Sequence, residues 1–312
     1  MTPEQKHIAR VLFKLKILTC DGQAYEDLFT QVMTASNVNF IQIKPQGSFG
    51  DRKNDGFDKT TGTYYQVYAP ENLLTKENKT LDKLKEDFSG LFTNWNNQVP
   101  IQSFYYVLND KFQGVYVSIV DALNQTQTLF NIPNMGPFLA KDLEHIVFQL
   151  DDSVIYELVG YVSPNQSSEN IQLAALGDVV THLVNNMTPI HGKGKLVVPD
   201  FDEKIEFNKL SETVGEILKS GNYQTHALES FFRNRSTTLK EELRSVFATL
   251  YAEALTNLKD YQEEDKADIA FYDILKKSYP NQKLVHEQAV IVLMAYYFEA
   301  CDIFEEPIKE PK

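Results

Sequence analysis

The chain is poor in the residues that most often announce a chemistry. It has only two cysteines, Cys20 and Cys301, far apart in sequence. They form no C-x-x-C pair for zinc or redox work and fit a reducing compartment. Six histidines, at positions 7, 145, 182, 191, 226 and 286, include no i, i+4 pair, which leaves a helical zinc motif unsupported. No Walker A phosphate loop is present, so any dependence on ATP must come through a partner. No apolar run is long enough to span a bilayer, and Met1-Thr-Pro-Glu-Gln-Lys6 lacks the basic and apolar stretches of a signal peptide. A cytoplasmic protein with no membrane attachment is predicted. Basic residues are in deficit as well: 30 Lys and Arg against 43 Asp and Glu give a net charge of −13. That balance weighs against a generic nucleic-acid coat, whose affinity comes mostly from cationic contacts to phosphate. An enzyme acting on phosphodiesters is still compatible, because a bound cation or a local basic patch can offset the repulsion.

What is present is an ordinary globular composition, 43% apolar and 23% charged over 312 residues, which is long enough for two domains. Residues 1–165 mix helix and strand. A helix is predicted from Ala24 to Ala35, with Tyr25, Leu28, Phe29, Val32 and Met33 at helical spacing behind an Asp21-Gly22 start. Strands over Val38–Lys44 and Thr63–Ala69 follow, then a helix over Lys76–Phe92 and a buried strand Ser103–Leu108. Residues 166–312 read as helix: Leu239 to Ala254 behind a Ser236 cap, Ile269 to Leu275, and an apolar helix from His286 to Ala300. Ser163–Asn170 has linker composition, and Glu306–Lys312 reads as a frayed tail.

The most informative stretch is Gly50-Asp-Arg-Lys-Asn-Asp-Gly56 followed by Thr63-Tyr-Tyr-Gln-Val-Tyr-Ala-Pro70. Strand alternation puts Tyr64, Gln66 and Tyr68 on one face. If Val38–Lys44 pairs with Thr63–Ala69 as a hairpin, Asp55 comes to lie near Gln66, and a carboxylate beside an amide is what a divalent cation needs. Lys44, Arg52, Lys53 and Lys59 surround the turn. The plain reading of Asp51, Asn54, Asp55 and Gly56 is turn formation through Asx bonds and a glycine at positive φ.

The helix–strand–strand–helix–strand order, with Asp55 ahead of a strand bearing Gln66, resembles the PD-(D/E)XK nuclease superfamily in its Gln-x-Lys branch. Together with Tyr297-Phe-Glu-Ala-Cys-Asp-Ile-Phe-Glu305, the motif looks like the effector subunits of ABC-three-component, Lamassu-like anti-phage systems. The resemblance implies an α/β restriction-endonuclease-like domain, with a mixed central sheet flanked by helices, followed by an all-α domain that docks on an SMC-like ABC ATPase. It implies a small accessory subunit as well, DNA as substrate, and a homo-oligomer as the active form. Asp55 would bind Mg²⁺ or Mn²⁺, Gln66 would add its amide oxygen, and Glu26 resembles the helical acid that some branches bring to the metal. Tyr68 stands where the superfamily has lysine, and a phenol carries no positive charge near neutral pH. Lys53 is the first candidate to replace that lysine, with Lys79 and Lys83 behind it. The expected activity is metal-dependent endonucleolytic cleavage; the alternative is an inactive nuclease-fold adaptor. Duplex DNA, single strands and RNA all remain open as substrates.

Overall fold

Aromatic and β-branched residues dominate the first half of the chain and helical periodicity the second, and the computed structural model follows that division. It describes residues 1–44, 52–73, 75, 77–160, 173–187, 200–233, 235, 238–278, 284–300 and 302–307. The expected linker, the boundary at 165/166, the Ser236 cap, Asp51, Cys301 and the last five residues lie outside these. Two compact units result, one of Lys16–Tyr161 and one of Met1–Leu15 with Val162–Lys312. The first fifteen residues, expected in the first domain, therefore belong with the C-terminal helices.

The α/β unit begins in the last turn of α1 (Pro3–Thr19) and continues through α2 (Gly22–Ser36), β1 (Phe40–Gln42), β2 (Gly56–Asp58), β3 (Thr63–Tyr68), α3 (Glu77–Trp95), β4 (Ser103–Leu108), α4 (Val117–Phe130), β5 (Asn134–Phe138), α5 (Ala140–Val147) and α6 (Asp152–Val159). The five strands form one sheet in sequential order. β1, β2 and β3 are antiparallel, with Gly56 opposite Tyr65, whereas β3, β4 and β5 are parallel, with Gln66 beside Tyr106. Parallel neighbours need a crossover, and α3 and α4 supply the two. The expected direct pairing of the Val38–Lys44 strand with β3 does not occur, because the three-residue β2 lies between them.

Side-chain alternation sorts the sheet into two faces. On one face Phe29 of α2 meets Phe40, Tyr65 and Phe138 at ring separations of 6.2, 5.6 and 5.6 Å. On the other, Phe57 stacks on Tyr64, and Phe88 of α3 meets Phe104 and Phe130. Asn109 follows β4, is buried, and donates to the carbonyls of Ile17 and Cys20, so the end of α1 is capped from the sheet.

The second unit is all helix: the start of α1, then α7 (Leu173–Asn186), α8 (Phe201–Phe207), α9 (Glu212–Asn222), α10 (Thr225–Arg233), α11 (Leu239–Asn257), α12 (Lys266–Lys277) and α13 (Leu284–Glu299). α13 is apolar all round, as a central helix must be, and packs against α7, α9, α10, α11 and α12. Gly221 lets α9 approach it closely, since a Cβ there would stand 2.8 Å from the Ile291 carbonyl oxygen. Tyr297 and Phe298 near the end of α13, and Ile303 and Phe304 just after it, are buried, so this apolar stretch is core and not an exposed docking surface. Two polar contacts fasten the N-terminal segment to the unit: His7 to Asp268 and Lys14 to Asp265, both at 2.8 Å. Among the described residues no helix is long and apolar enough to cross a membrane.

Candidate active site

The antiparallel ladder of β2 and β3 continues one residue past β2, through the Asp55 N–H to the Tyr65 carbonyl at 3.2 Å. That register sets Asp55 across from Gln66 on the α3-facing side of the sheet. Asp55 Oδ2 accepts from Gln66 Nε2 at 2.8 Å and from the Val67 N–H at 2.6 Å. Both side chains are buried, at 5% and 7% exposure. Gly56 serves close approach and not a positive φ: a Cβ there would lie 2.3 Å from the Phe40 ring. The positive φ angles belong instead to Arg52 and Lys53, at 56° and 63°, a conformation uncommon without glycine.

The buried polar atoms around this pair are incompletely paired. Gln66 Oε1, both polar atoms of the Asn54 side chain and the Tyr106 hydroxyl meet no hydrogen-bond partner among the described residues. Gln66 and Tyr106 are register partners on adjacent strands, and neighbouring exceptions of this kind point to a ligand, ion or water site, since most buried polar atoms are satisfied. Tyr68 borders the group and stacks on Tyr106 at a ring separation of 6.1 Å. Burial pushes the Tyr106 phenol well above its ordinary range, and the charges of Asp87 and Asp55 add to the effect. The phenol stays neutral.

Positive charge arrives from the turn and from α3, and it is already engaged. Lys53 Nζ lies 2.7 Å from Glu86 and 3.0 Å from Asp87, and Lys83 Nζ lies 2.9 Å from Asp87. The Lys53 stem runs over Gly90, where a Cβ would meet its Cγ at 2.8 Å. The bond to Glu86 raises the lysine above its ordinary range, so it remains charged. Asp87 itself is 1% exposed; a carboxylate that deep requires paired cations.

The structure therefore brings together Asp55, Gln66 and Tyr68, with Lys53 held against α3. Glu26 is half-buried on α2, the helix that covers the opposite face of the sheet. Lys79 is exposed on α3. Among the described residues no group of three or more His, Cys, Asp or Glu side chains is placed to hold a metal ion. Mg²⁺ needs fewer, because it commonly uses one or two carboxylates and keeps several waters. Asp55 and Gln66 fit such a donor set, and the unpaired buried Gln66 Oε1 is the atom that supports the fit. The amide now turns its nitrogen toward Asp55, since a carboxylate only accepts; it would have to flip for both oxygens to face one cation. Asp87 and Tyr106 are the members that sequence reading missed as site residues, and Tyr106 becomes visible only through the parallel register with Gln66.

Residues 174–305 match the family model of C-terminal domain 10 of the ABC-three component (ABC-3C) systems. The match covers less than half of the chain, supports membership in an ABC-3C system, and leaves the α/β unit untouched. No curated protein and no solved structure matches the chain.

Proposed function

We propose that the chain is the nuclease effector of an ABC-3C defence system, with a hydrolytic site at the β2–β3 pairing of a restriction-endonuclease-like α/β unit. The observation that carries this reading is the pairing of Asp55 with Gln66 at 2.8 Å, in a sheet whose first three strands are antiparallel and whose third and fourth are parallel across a helix. That strand order agrees with the superfamily resemblance, and the C-terminal match supports the ABC-3C context.

In this reading Asp55 and Gln66 hold Mg²⁺ or Mn²⁺. The bound cation would polarise the scissile phosphate and lower the pKa of a coordinated water. Asp55 contributes the negative charge and Gln66 a neutral oxygen. Tyr68 offers a hydroxyl at the site's border, where it can orient a water or a phosphate oxygen. Lys53 is the first candidate for the lysine role, and it must leave Glu86 and Asp87 to do so. The helical unit would dock on the ABC ATPase, with an accessory subunit completing the complex. DNA cleavage would follow release and self-association of the effector.

A second reading has its own observation. Tyr68 occupies the lysine position, and both Lys53 and Lys83 are tied to Asp87. An adaptor that keeps the fold, binds nucleic acid or the ATPase, and has lost hydrolysis accounts for that arrangement equally well. Cleavage of linear and circular duplex DNA by the purified chain, with Mg²⁺ or Mn²⁺ and over a range of protein concentrations, separates the two. Cutting that Asp55→Ala and Gln66→Ala both abolish supports the nuclease. No cutting, even with the ATPase partner and DNA present, leaves the adaptor.

A further inference from the structure

Tyr106 lies on β4, beside Gln66 in the parallel register and on the same face of the sheet. It is fully buried, and its hydroxyl has no hydrogen-bond partner among the described residues. The ring is held firmly: it stacks on Tyr68 at 6.1 Å with an interplanar angle of 15° and on Phe104 at 6.4 Å with 24°. Packing alone would be served by phenylalanine, and an unpaired buried hydroxyl lowers stability. Gln66 Oε1, on the register partner of Tyr106, also meets no hydrogen-bond partner among the described residues. Such a group of donors and acceptors suits a polar occupant.

A cation held by one carboxylate and one amide retains several waters, and those waters need hydrogen-bond partners around the ions' own ligands. A phenol supplies both a donor and an acceptor. We propose that Tyr106 is a positioning residue of the Asp55–Gln66 site, its hydroxyl hydrogen-bonding waters carried by a hard divalent cation. The inference rests on the reading of Asp55 and Gln66 as a metal site. It adds a residue that acts on the metal through its waters and not as a ligand. Outer partners of this kind typically change metal affinity by about 10- to 100-fold when removed.

The test is Tyr106→Phe, which deletes the hydroxyl and keeps the ring. Mn²⁺ is titrated calorimetrically into the full chain, its Tyr106→Phe variant and Asp55→Ala, and the melting temperature of each is measured in chelator. The expected result is Mn²⁺ binding about tenfold weaker or more in Tyr106→Phe, with a metal-free melting temperature equal to or above that of the wild type. Unchanged affinity in Tyr106→Phe, with binding lost in Asp55→Ala, overturns the role of Tyr106 and spares the metal site. Weaker binding accompanied by a lower metal-free melting temperature makes the hydroxyl a structural group and also overturns it. A wild-type chain that binds no Mn²⁺ removes the metal reading itself, and this inference with it.

Discussion

Gln66 donates its side-chain amide to the Asp55 carboxylate at 2.8 Å, and the Val67 N–H reaches the same carboxylate oxygen at 2.6 Å. One acceptor therefore ties the end of β2 to the middle of β3, and its removal leaves two donors stranded in a buried site. Hydrogen bonds to a charged group contribute about 1.5–3 kcal/mol each, so Asp55→Ala should destabilise the α/β unit by on the order of 3 kcal/mol. Urea unfolding of the metal-free chain measures this. A midpoint unchanged from wild type would show that Gln66 and Val67 find other partners.

Lys204 supplies a test in the helical unit. Its ammonium is fully buried, donates to the carbonyls of Phe298 and Ile303 at 2.6 and 2.9 Å, and lies 4.5 Å from the centre of the Phe298 ring. The cation sits at the carbonyl end of α13, where the helix dipole favours positive charge. Lys204→Met keeps much of the stem's volume and strands two acceptors, and should lower stability by about 2–4 kcal/mol. Guanidinium unfolding of the variant checks the value, and a loss below about 0.5 kcal/mol would rule out this anchoring.

Gly221 should tolerate no side chain. An added Cβ would stand 2.8 Å from the Ile291 carbonyl oxygen, 3.0 Å from the Ile291 Cγ2 and 3.1 Å from the Ala295 Cβ. Alanine ordinarily improves a helix by reducing chain entropy, so the sign of the effect is informative. Gly221→Ala should destabilise by about 1–3 kcal/mol through overpacking of α9 on α13. Thermal unfolding reports it, and a raised melting temperature would mean that the helices separate without penalty.

The bond between His7 and Asp268 predicts a pH dependence. The Asp268 carboxylate raises the imidazole above its ordinary value of 6.5; Asp265 adds to this, and burial and Lys14 oppose it. A histidine whose folded pKa is raised stabilises fully below its unfolded value, and the contribution is lost as pH rises through the folded value. Stability of the helical unit should therefore fall as pH rises past the ordinary histidine value of 6.5 and through the raised folded value, and His7→Gln should flatten that slope. Equal slopes in wild type and variant would place the pH dependence elsewhere.

Much of this molecule can be read from its sequence where periodicity is strong and local. α2, α3, β3, β4, α11, α12 and α13 all fall where apolar spacing placed them, within a few residues at their ends. β2 escaped because Gly56-Phe57-Asp58 is three residues long and holds two poor strand formers, so pairing and not propensity makes it a strand. β5 escaped for a related reason: Asn134-Met-Gly-Pro-Phe138 reads as a turn, and its proline is tolerated at the edge of the sheet. In the candidate site, Asp55 was expected near Gln66 through a direct pairing of Val38–Lys44 with β3; the two do meet, but through the pairing of β2 with β3. Tyr106 was not legible there, because its place beside Gln66 depends on a long-range parallel pairing. The position of Glu26 on the far-face helix was likewise invisible without knowing which way each face points.

The chain leaves the helical unit after Leu15 and re-enters it at Val162, so the α/β unit is an insertion with a covalent strand at each end. A single proteolytic nick between the units at the C-terminal crossing would not release a free fragment, since α1 runs unbroken through the other crossing. After such a cut, the His7 and Lys14 contacts would keep the stub of α1 docked on α12. Liberating the α/β unit takes two cuts, one of them inside a helix, and a truncation that begins at residue 16 strips the helical unit of part of its own fold.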